Sequence, residues 1–141
     1  MRIYAVIDTN VIVSAILSRN PDAATVRLFN LVGGSSFTIL FNEEILDEYI
    51  DVLHRSKFHF PKEYIDRVVE KIKECGLYTD RVASGDEFPD PSDAVFYEVA
   101  LSKEDSYLVT GNLKHFPKTS IVVTPAQMLE ILGVDSSYKA M

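Results

Sequence analysis

Short apolar runs that end in polar residues alternate along the chain with stretches whose apolar residues recur three or four apart. The first run, Ile3 to Ile7, predicts a strand buried on both faces, as in a parallel sheet. It stops at Asp8-Thr9-Asn10, and a helical pattern runs from Val11 to Leu17 until Ser18-Arg19-Asn20-Pro21 breaks it. A second helix begins at Asp22 and continues through Val32, where Gly33-Gly34 stops it. Phe37 to Phe41 predicts a second buried strand. Asn42 then caps a third helix, with Glu43 and Glu44 in its first turn and Ile45, Tyr49, Val52 and Leu53 facing inward. Ser56 to Pro61 is loop. Pro61 suits the first turn of a fourth helix that reaches about Glu74 and buries Ile65, Val68, Val69 and Ile72.

Cys75-Gly76 ends that helix, and Leu77-Tyr78 predicts a weaker strand. Asp80 to Pro91, rich in Asp, Gly, Pro and Ser, is loop. Ser92 or Asp93 starts a fifth helix that carries Val95, Phe96, Val99, Ala100 and Leu101. Tyr107 to Thr110 is a further strand, closed by Gly111-Asn112. Phe116-Pro117 is a turn, Ile121 to Val123 a last short strand, and Thr124-Pro125 caps a final helix from Ala126 to Leu132. Alternating strands and helices predict an α/β fold: a three-layer sandwich whose mainly parallel central sheet of four to five strands is flanked by helices. No repeat or linker divides the chain, so residues 1–133 are expected to form one domain, with 134–141 a loose tail.

Composition narrows the picture. At 141 residues, 47% of them hydrophobic, the chain is long enough for a sizeable core. No apolar run approaches the roughly 20 residues a membrane helix needs, and the N-terminal stretch does not have the pattern of a signal peptide. The one cysteine, Cys75, excludes an internal disulfide framework and a cysteine-rich zinc site. A reducing, cytoplasmic setting is expected. The net charge of −7, from 21 acids against 14 bases, argues against gripping nucleic acid by bulk electrostatics. It leaves room for binding phosphate through metal ions.

The polar residues fall where such chemistry could sit. Asp8 ends the first strand, Glu48 lies on the helix after the second, Asp90 and Asp93 start the fifth helix, and Asn112 follows the next strand. Strand ends and helix starts on one side of a parallel sheet converge on one rim, where ligands bind. Carboxylates gathered there raise one another's pKa unless a cation intervenes. Oxygen-only ligands suit a hard ion such as Mg²⁺ or Mn²⁺. Each residue also has a plainer reading: Asp8 and Asn10 as helix caps, Glu48 as solvated surface, Asp93 as a first-turn acid, Asn112 as a turn residue. Arg19, Lys57, Lys114 and His115 could meet phosphate, with ordinary surface charge the stronger reading. His54 and His59 read as structural or surface residues.

Four blocks carry a family resemblance: Val6-Ile7-Asp8-Thr9-Asn10-Val11, Asn42-Glu43-Glu44-Ile45-Leu46-Asp47-Glu48-Tyr49, Asp90-Pro91-Ser92-Asp93-Ala94-Val95-Phe96 and Leu108-Val109-Thr110-Gly111-Asn112. In order and spacing the sequence resembles the PIN-domain family, in particular the toxin-like ribonucleases of prokaryotic toxin–antitoxin pairs. The resemblance implies a metal-dependent ribonuclease acting on single-stranded RNA. It assigns the metal to Asp8, Glu48 and Asp93, with Asn10, Thr110 and Asp90 in support. Asn112 stands where many members have a fourth acid; an amide offers an oxygen without the charge. The resemblance further implies a homodimer and a cognate antitoxin protein.

Two other classes compete. A Mg²⁺-dependent phosphoacceptor domain is also small and α/β, but it wants paired acids after its first strand and a lysine after a late one. Here Asp8 stands alone beside Thr9 and Asn10, and Thr124-Pro125 follows Val123. A non-catalytic RNA- or protein-binding module on the same scaffold is the other, and Asn112 is the feature that keeps it open.

Overall fold

The computed structural model describes residues 2–134. Its five strands are β1 (Tyr4–Ile7), β2 (Thr38–Phe41), β3 (Leu77–Tyr78), β4 (Ser106–Val109) and β5 (Val122–Val123). The helices are α1 (Thr9–Leu17), α2 (Ala24–Asn30), α3 (Glu43–Leu53), α4 (Lys62–Cys75), α5 (Ala94–Leu101) and α6 (Pro125–Ile131). All strand pairs are parallel, in the order β3-β2-β1-β4-β5. The expected parallel sheet is therefore present, and every pairing in it is parallel.

Successive strand residues point to opposite faces. Ala5, Val6 and Ile7 are all buried, as are Leu108 and Val109, so both faces of the central strands are covered. That explains why their sequences read as unbroken apolar runs rather than alternating ones. Helix α5 packs on β1 and β4, α4 on β2, and α1, α2 and α6 pack together. No described helix is long and apolar enough to cross a membrane.

The order of the strands matters most for the site. The chain builds outward from β1 through β2 to β3, then returns to the other side of β1 with β4 and continues to β5. β1 and β4 lie in register, with Tyr4 opposite Ser106 and Ile7 opposite Val109. Their carboxyl ends therefore finish level, at the point where the winding reverses. In open α/β sheets that reversal leaves a crevice.

Several element ends differ from the sequence pattern. Helix α1 starts at Thr9 rather than Val11, because the Val11 amide already bonds the Asp8 carbonyl at 2.9 Å. Helix α2 starts at Ala24 rather than Asp22. The Asp22 amide bonds Asn20 Oδ1 at 2.9 Å, and this side-chain turn delays the helix. α2 also ends at Asn30, before the glycines; Gly33 sits at φ +90° in the turn that follows. β4 begins and ends one residue early, leaving Thr110 just past the strand. Short 3₁₀ turns occupy Ser56–Phe58, Pro91–Asp93 and Leu113–His115 within segments expected to be irregular or helical. α6 carries a full capping box between Thr124 and Gln127. Val134 bonds back to Leu129 at 2.9 Å; the rest of the expected tail, 135–141, lies outside the described residues.

Gly76 joins α4 to the edge strand β3. A Cβ there would lie 2.6 Å from the Ile72 carbonyl oxygen and 2.8 Å from that of Ile39. Both are backbone atoms and cannot rotate away. We expect Gly76→Ala to cost about 1–3 kcal/mol through overpacking, read as a lowered urea midpoint. Gly111→Ala, where nothing lies within 4 Å, should leave the midpoint unmoved.

Candidate active site

β1 ends inside the protein, so the next residue, Asp8, is buried at 6% exposure. Its amide bonds the Val109 carbonyl at 2.9 Å, which extends the pairing with β4 by one residue. Asp8 occupies the position before α1 without a well-formed side-chain capping bond, although the Thr9 and Asn10 amides lie near enough to stabilise its charge. Its Oδ2 instead accepts a hydrogen bond of 2.8 Å from the hydroxyl of fully buried Thr110, 102 residues away. The same hydroxyl accepts the Asn112 amide at 3.0 Å. One threonine thus ties the end of β1 to the turn after β4.

The other acids arrive on separate elements. Glu48 is half-buried on α3, held inward by Tyr49, whose hydroxyl donates to the Ile7 carbonyl at the end of β1. Asp93 closes the 3₁₀ turn Pro91–Asp93, its side chain 18% exposed. Asp90 opens that turn and is exposed; its Oδ1 accepts from the Ser92 amide at 3.0 Å and the Ser92 hydroxyl at 2.8 Å.

These carboxylates feel one another's charge. Burial raises the pKa of Asp8, against the opposing pull of Thr110, of the Asn10 and Thr9 amides, and of His115. Glu48 is raised by burial first; Arg55 opposes, and Asp51, Asp8 and Asp90 add to the rise. Asp93 is pushed up to about 6 by burial, then by Asp8 and Asp90, with Glu48 adding and His115 opposing. Asp90 moves the other way, held low by its two bonds from Ser92. The folded chain therefore brings Asp8, Glu48, Asp90 and Asp93 within electrostatic reach of one another. Asn10 and Asn112 sit exposed at the same rim, next to Asp8 and Thr110 respectively. Glu44, one turn before Glu48, is spoken for elsewhere by Arg81.

The donor set suits a hard cation: carboxylate and amide oxygens, with no sulfur. The hydroxyl of Thr9, adjacent to Asp8, is also buried without a hydrogen-bond partner among the described residues. Among those residues no group of three or more His, Cys, Asp or Glu side chains stands close enough together to hold a metal ion. The residues present fit an ion that keeps part of its water shell and takes one or two carboxylates directly, the habit of Mg²⁺.

Three features here left no sequence signal. His115, read as surface charge, places Nδ1 3.8 Å from Asp93 Oδ2. Arg81, in the long loop, reaches Glu44 at 2.6 Å and Glu98 at 2.7 Å, and so links α3, which carries Glu48, to α5, which follows Asp93. Glu98 also accepts the Ser84 amide and hydroxyl, both at 2.9 Å. Burial alone would raise Glu98, but Ser84 and Arg81 outweigh it and hold the carboxyl low. Spacing along the chain does not foretell contacts between a loop and two helices; only their packing makes them.

Three clefts adjoin these elements. One of about 610 Å³ lies between α1, α2 and α6, reaches Asn10 and Asn112, and has no charged residue in its lining. A second, of about 460 Å³, lies between the Leu113–His115 turn and β5. A third, of about 250 Å³ between α2 and α4, involves none of the rim residues.

Asp93 has a raised folded-state pKa, so its contribution to stability is fully present below its unfolded value, near 4, and is lost as pH rises through about 6. Glu98 and Asp90, whose pKa values are lowered, work in the opposite sense: their stabilisation is present above their unfolded values and is lost only as pH falls into the acid range. We therefore expect Asp93→Asn to stabilise the metal-free protein at neutral pH by on the order of 1 kcal/mol, after allowance for partial exposure. The gain should shrink towards zero by about pH 4.5. Urea melts at the two pH values test this; an Asn variant less stable at neutral pH would contradict the electrostatic reading.

The PIN domain family profile matches residues 4–114, a span that contains Asp8, Asn10, Glu48, Asp90, Asp93, Thr110 and Asn112. No curated protein matches the chain. With that match running from β1 to the turn after β4, on an all-parallel α/β sheet, the chain belongs to the PIN domain family and has its nuclease-type fold.

Proposed function

We propose that this PIN domain is a metal-dependent ribonuclease that hydrolyses phosphodiester bonds in single-stranded RNA. Asp8, Glu48 and Asp93 are the proposed ligands of a Mg²⁺ or Mn²⁺ ion. Asn112 completes the catalytic set, and Asn10, Thr110 and Asp90 support it. One observation carries the reading: Asp8 is buried at the crevice where the sheet reverses, with Glu48 and Asp93 near enough that its charge adds to the rise in their pKa. Crowding of that kind is unfavourable unless a positive charge joins it. Membership of a family that is generally nucleolytic supports it further.

When bound, the ion supplies Lewis acidity, which draws charge from the scissile phosphate and makes water a stronger acid. The chain's own residues do the rest. The Thr110 hydroxyl fixes the rotation of the Asp8 carboxylate. Glu48, with its raised pKa, can accept a proton from the attacking water at a carboxylate oxygen. Asn112 offers a neutral amide oxygen, and Asp90, held anionic by Ser92, keeps negative charge beside Asp93. No side-chain nucleophile is needed. By family likeness we also propose that the protein acts in the cytoplasm as a homodimer, as the toxin of a toxin–antitoxin pair that a cognate antitoxin neutralises.

We expect the purified protein to cleave RNA with Mg²⁺ or Mn²⁺ and to stop when a chelator is added. Asp8→Asn and Asp93→Asn should each lower the rate by about 100-fold or more, since even residues that only support a metal's ligands are worth 10–100-fold. Equal cleavage by the variants would mark a contaminating nuclease. RNA binding without cleavage by the wild type would instead make the chain a binding module.

Asn112→Asp adds a carboxylate beside the proposed metal ligands. It should tighten Mn²⁺ binding by roughly tenfold, the range seen for changes around metal ligands, as measured by calorimetric titration. An unchanged isotherm would show that Asn112 lies outside the ion's reach.

A further inference from the structure

From Ser106 to Leu129 the chain has no acid, although acids outnumber bases 21 to 14 overall. That stretch holds Lys114, His115 and Lys118. It forms β4, the turn after it, β5 and most of α6. The rim is therefore two-sided. Glu48, Asp90 and Asp93 make one flank acidic, and the β4–β5 connection makes the other basic.

The cleft of about 460 Å³ opens in that basic flank. Buried Phe116 contributes to its lining, backed by Phe88 at a ring-centroid distance of 6.2 Å. Leu113, Pro117 and Val122 add apolar lining, and Leu113 leaves 42% of its surface exposed. Lys114 and Lys118 also line it, both exposed, and neither forms an ion pair with any described residue. Half of the other twelve lysines and arginines are occupied: Arg55, Lys62 and Arg81 pair with acids, and Lys57, Arg67 and Lys103 lie over aromatic rings. One turn joins the cleft to the acidic rim: it supplies Leu113 and Lys114 to the cleft, and its His115 places Nδ1 3.8 Å from Asp93 Oδ2.

We infer that this cleft is a subsite for one nucleotide of single-stranded RNA, taking the base against Leu113 and Pro117 and the adjoining phosphate at Lys114 and Lys118. The inference rests on the ribonuclease reading and extends it to where the strand lies. Its size falls within the roughly 300–1,000 Å³ typical of small-ligand sites. Apolar contact for a base combined with cations for the backbone is how single strands are held without a duplex groove. The uncompensated lysines also offset the repulsion that an acidic rim exerts on phosphate, which the net charge of −7 otherwise leaves unanswered.

The test uses a labelled RNA decamer and the full chain. Binding is followed by fluorescence anisotropy in the Asp8→Asn background, which holds the RNA intact, over a range of salt. Cleavage kinetics are followed with Mn²⁺ in the wild-type background. Lys114→Ala/Lys118→Ala should weaken binding about tenfold and flatten the plot of log affinity against log salt by about 1.4, or about 0.7 per lysine. In cleavage it should raise KM and leave kcat nearly unchanged. Leu113→Ser should weaken binding about fivefold with the salt slope unaltered, as loss of an apolar contact does. Thermal melts check that the surface variants are folded.

If the wild type cleaves RNA while the lysine variant binds with the same affinity and slope, the inference is overturned and the ribonuclease reading stands; the cleft then serves another occupant, such as a protein segment. If only the lysines matter and Leu113→Ser changes nothing, the base does not enter the cleft and the inference is overturned in that form. If the wild type neither binds nor cleaves RNA with Mn²⁺, both readings fall together.

Discussion

A buried carboxylate accepts a hydrogen bond from a buried hydroxyl 102 residues away, at the point where the sheet reverses, and the candidate site is built around that contact. Asp8 is placed in the interior because β1 is covered on both faces and the chain has no room to surface before α1 begins. Left alone there, a charged oxygen would cost several kcal/mol. Thr110 answers part of that cost and, through the Asn112 amide, also sets the turn that follows β4. The in-register pairing of β1 with β4 makes this contact possible.

Around that contact the acids are left in tension. Asp8, Glu48 and Asp93 all sit above their ordinary pKa values, chiefly because they are withdrawn from water; neighbouring acids add to the rise at Glu48 and Asp93. A fold selected for stability alone would not gather them. Functional sites commonly hold strain of this kind, and stability elsewhere compensates for it. Here the compensation is an almost continuous apolar core that includes Tyr49, whose hydroxyl braces the end of β1. The same helix carries Glu48, so packing and chemistry share one element.

Two smaller devices set the geometry. Arg81 bridges Glu44 on α3 and Glu98 on α5, and Ser84 secures Glu98 from the loop. Single exposed ion pairs contribute little, but a guanidinium shared between two helices constrains their spacing. The acid-free connection from β4 to β5 in turn places cations beside a site whose own charge would turn an anionic polymer away.

The amino-acid sequence by itself determined the class of fold. β1, β2 and β4 are unbroken apolar runs because both faces of a parallel strand are buried, and the amphipathic period of α3 and α4 shows which face turns inward. It also marked Asp8, since an acid at the end of a buried strand is costly and so conspicuous; Glu48, Asp93 and Asn112 stood out through the family resemblance. Tertiary structure alone decided the rest. Strand order made β1 and β4 neighbours, and so gave Asp8 a partner in Thr110. Loop packing brought Arg81 to Glu98, and His115 to Asp93. Such contacts join side chains that share no periodicity, and local pattern reports only what a residue's near neighbours require.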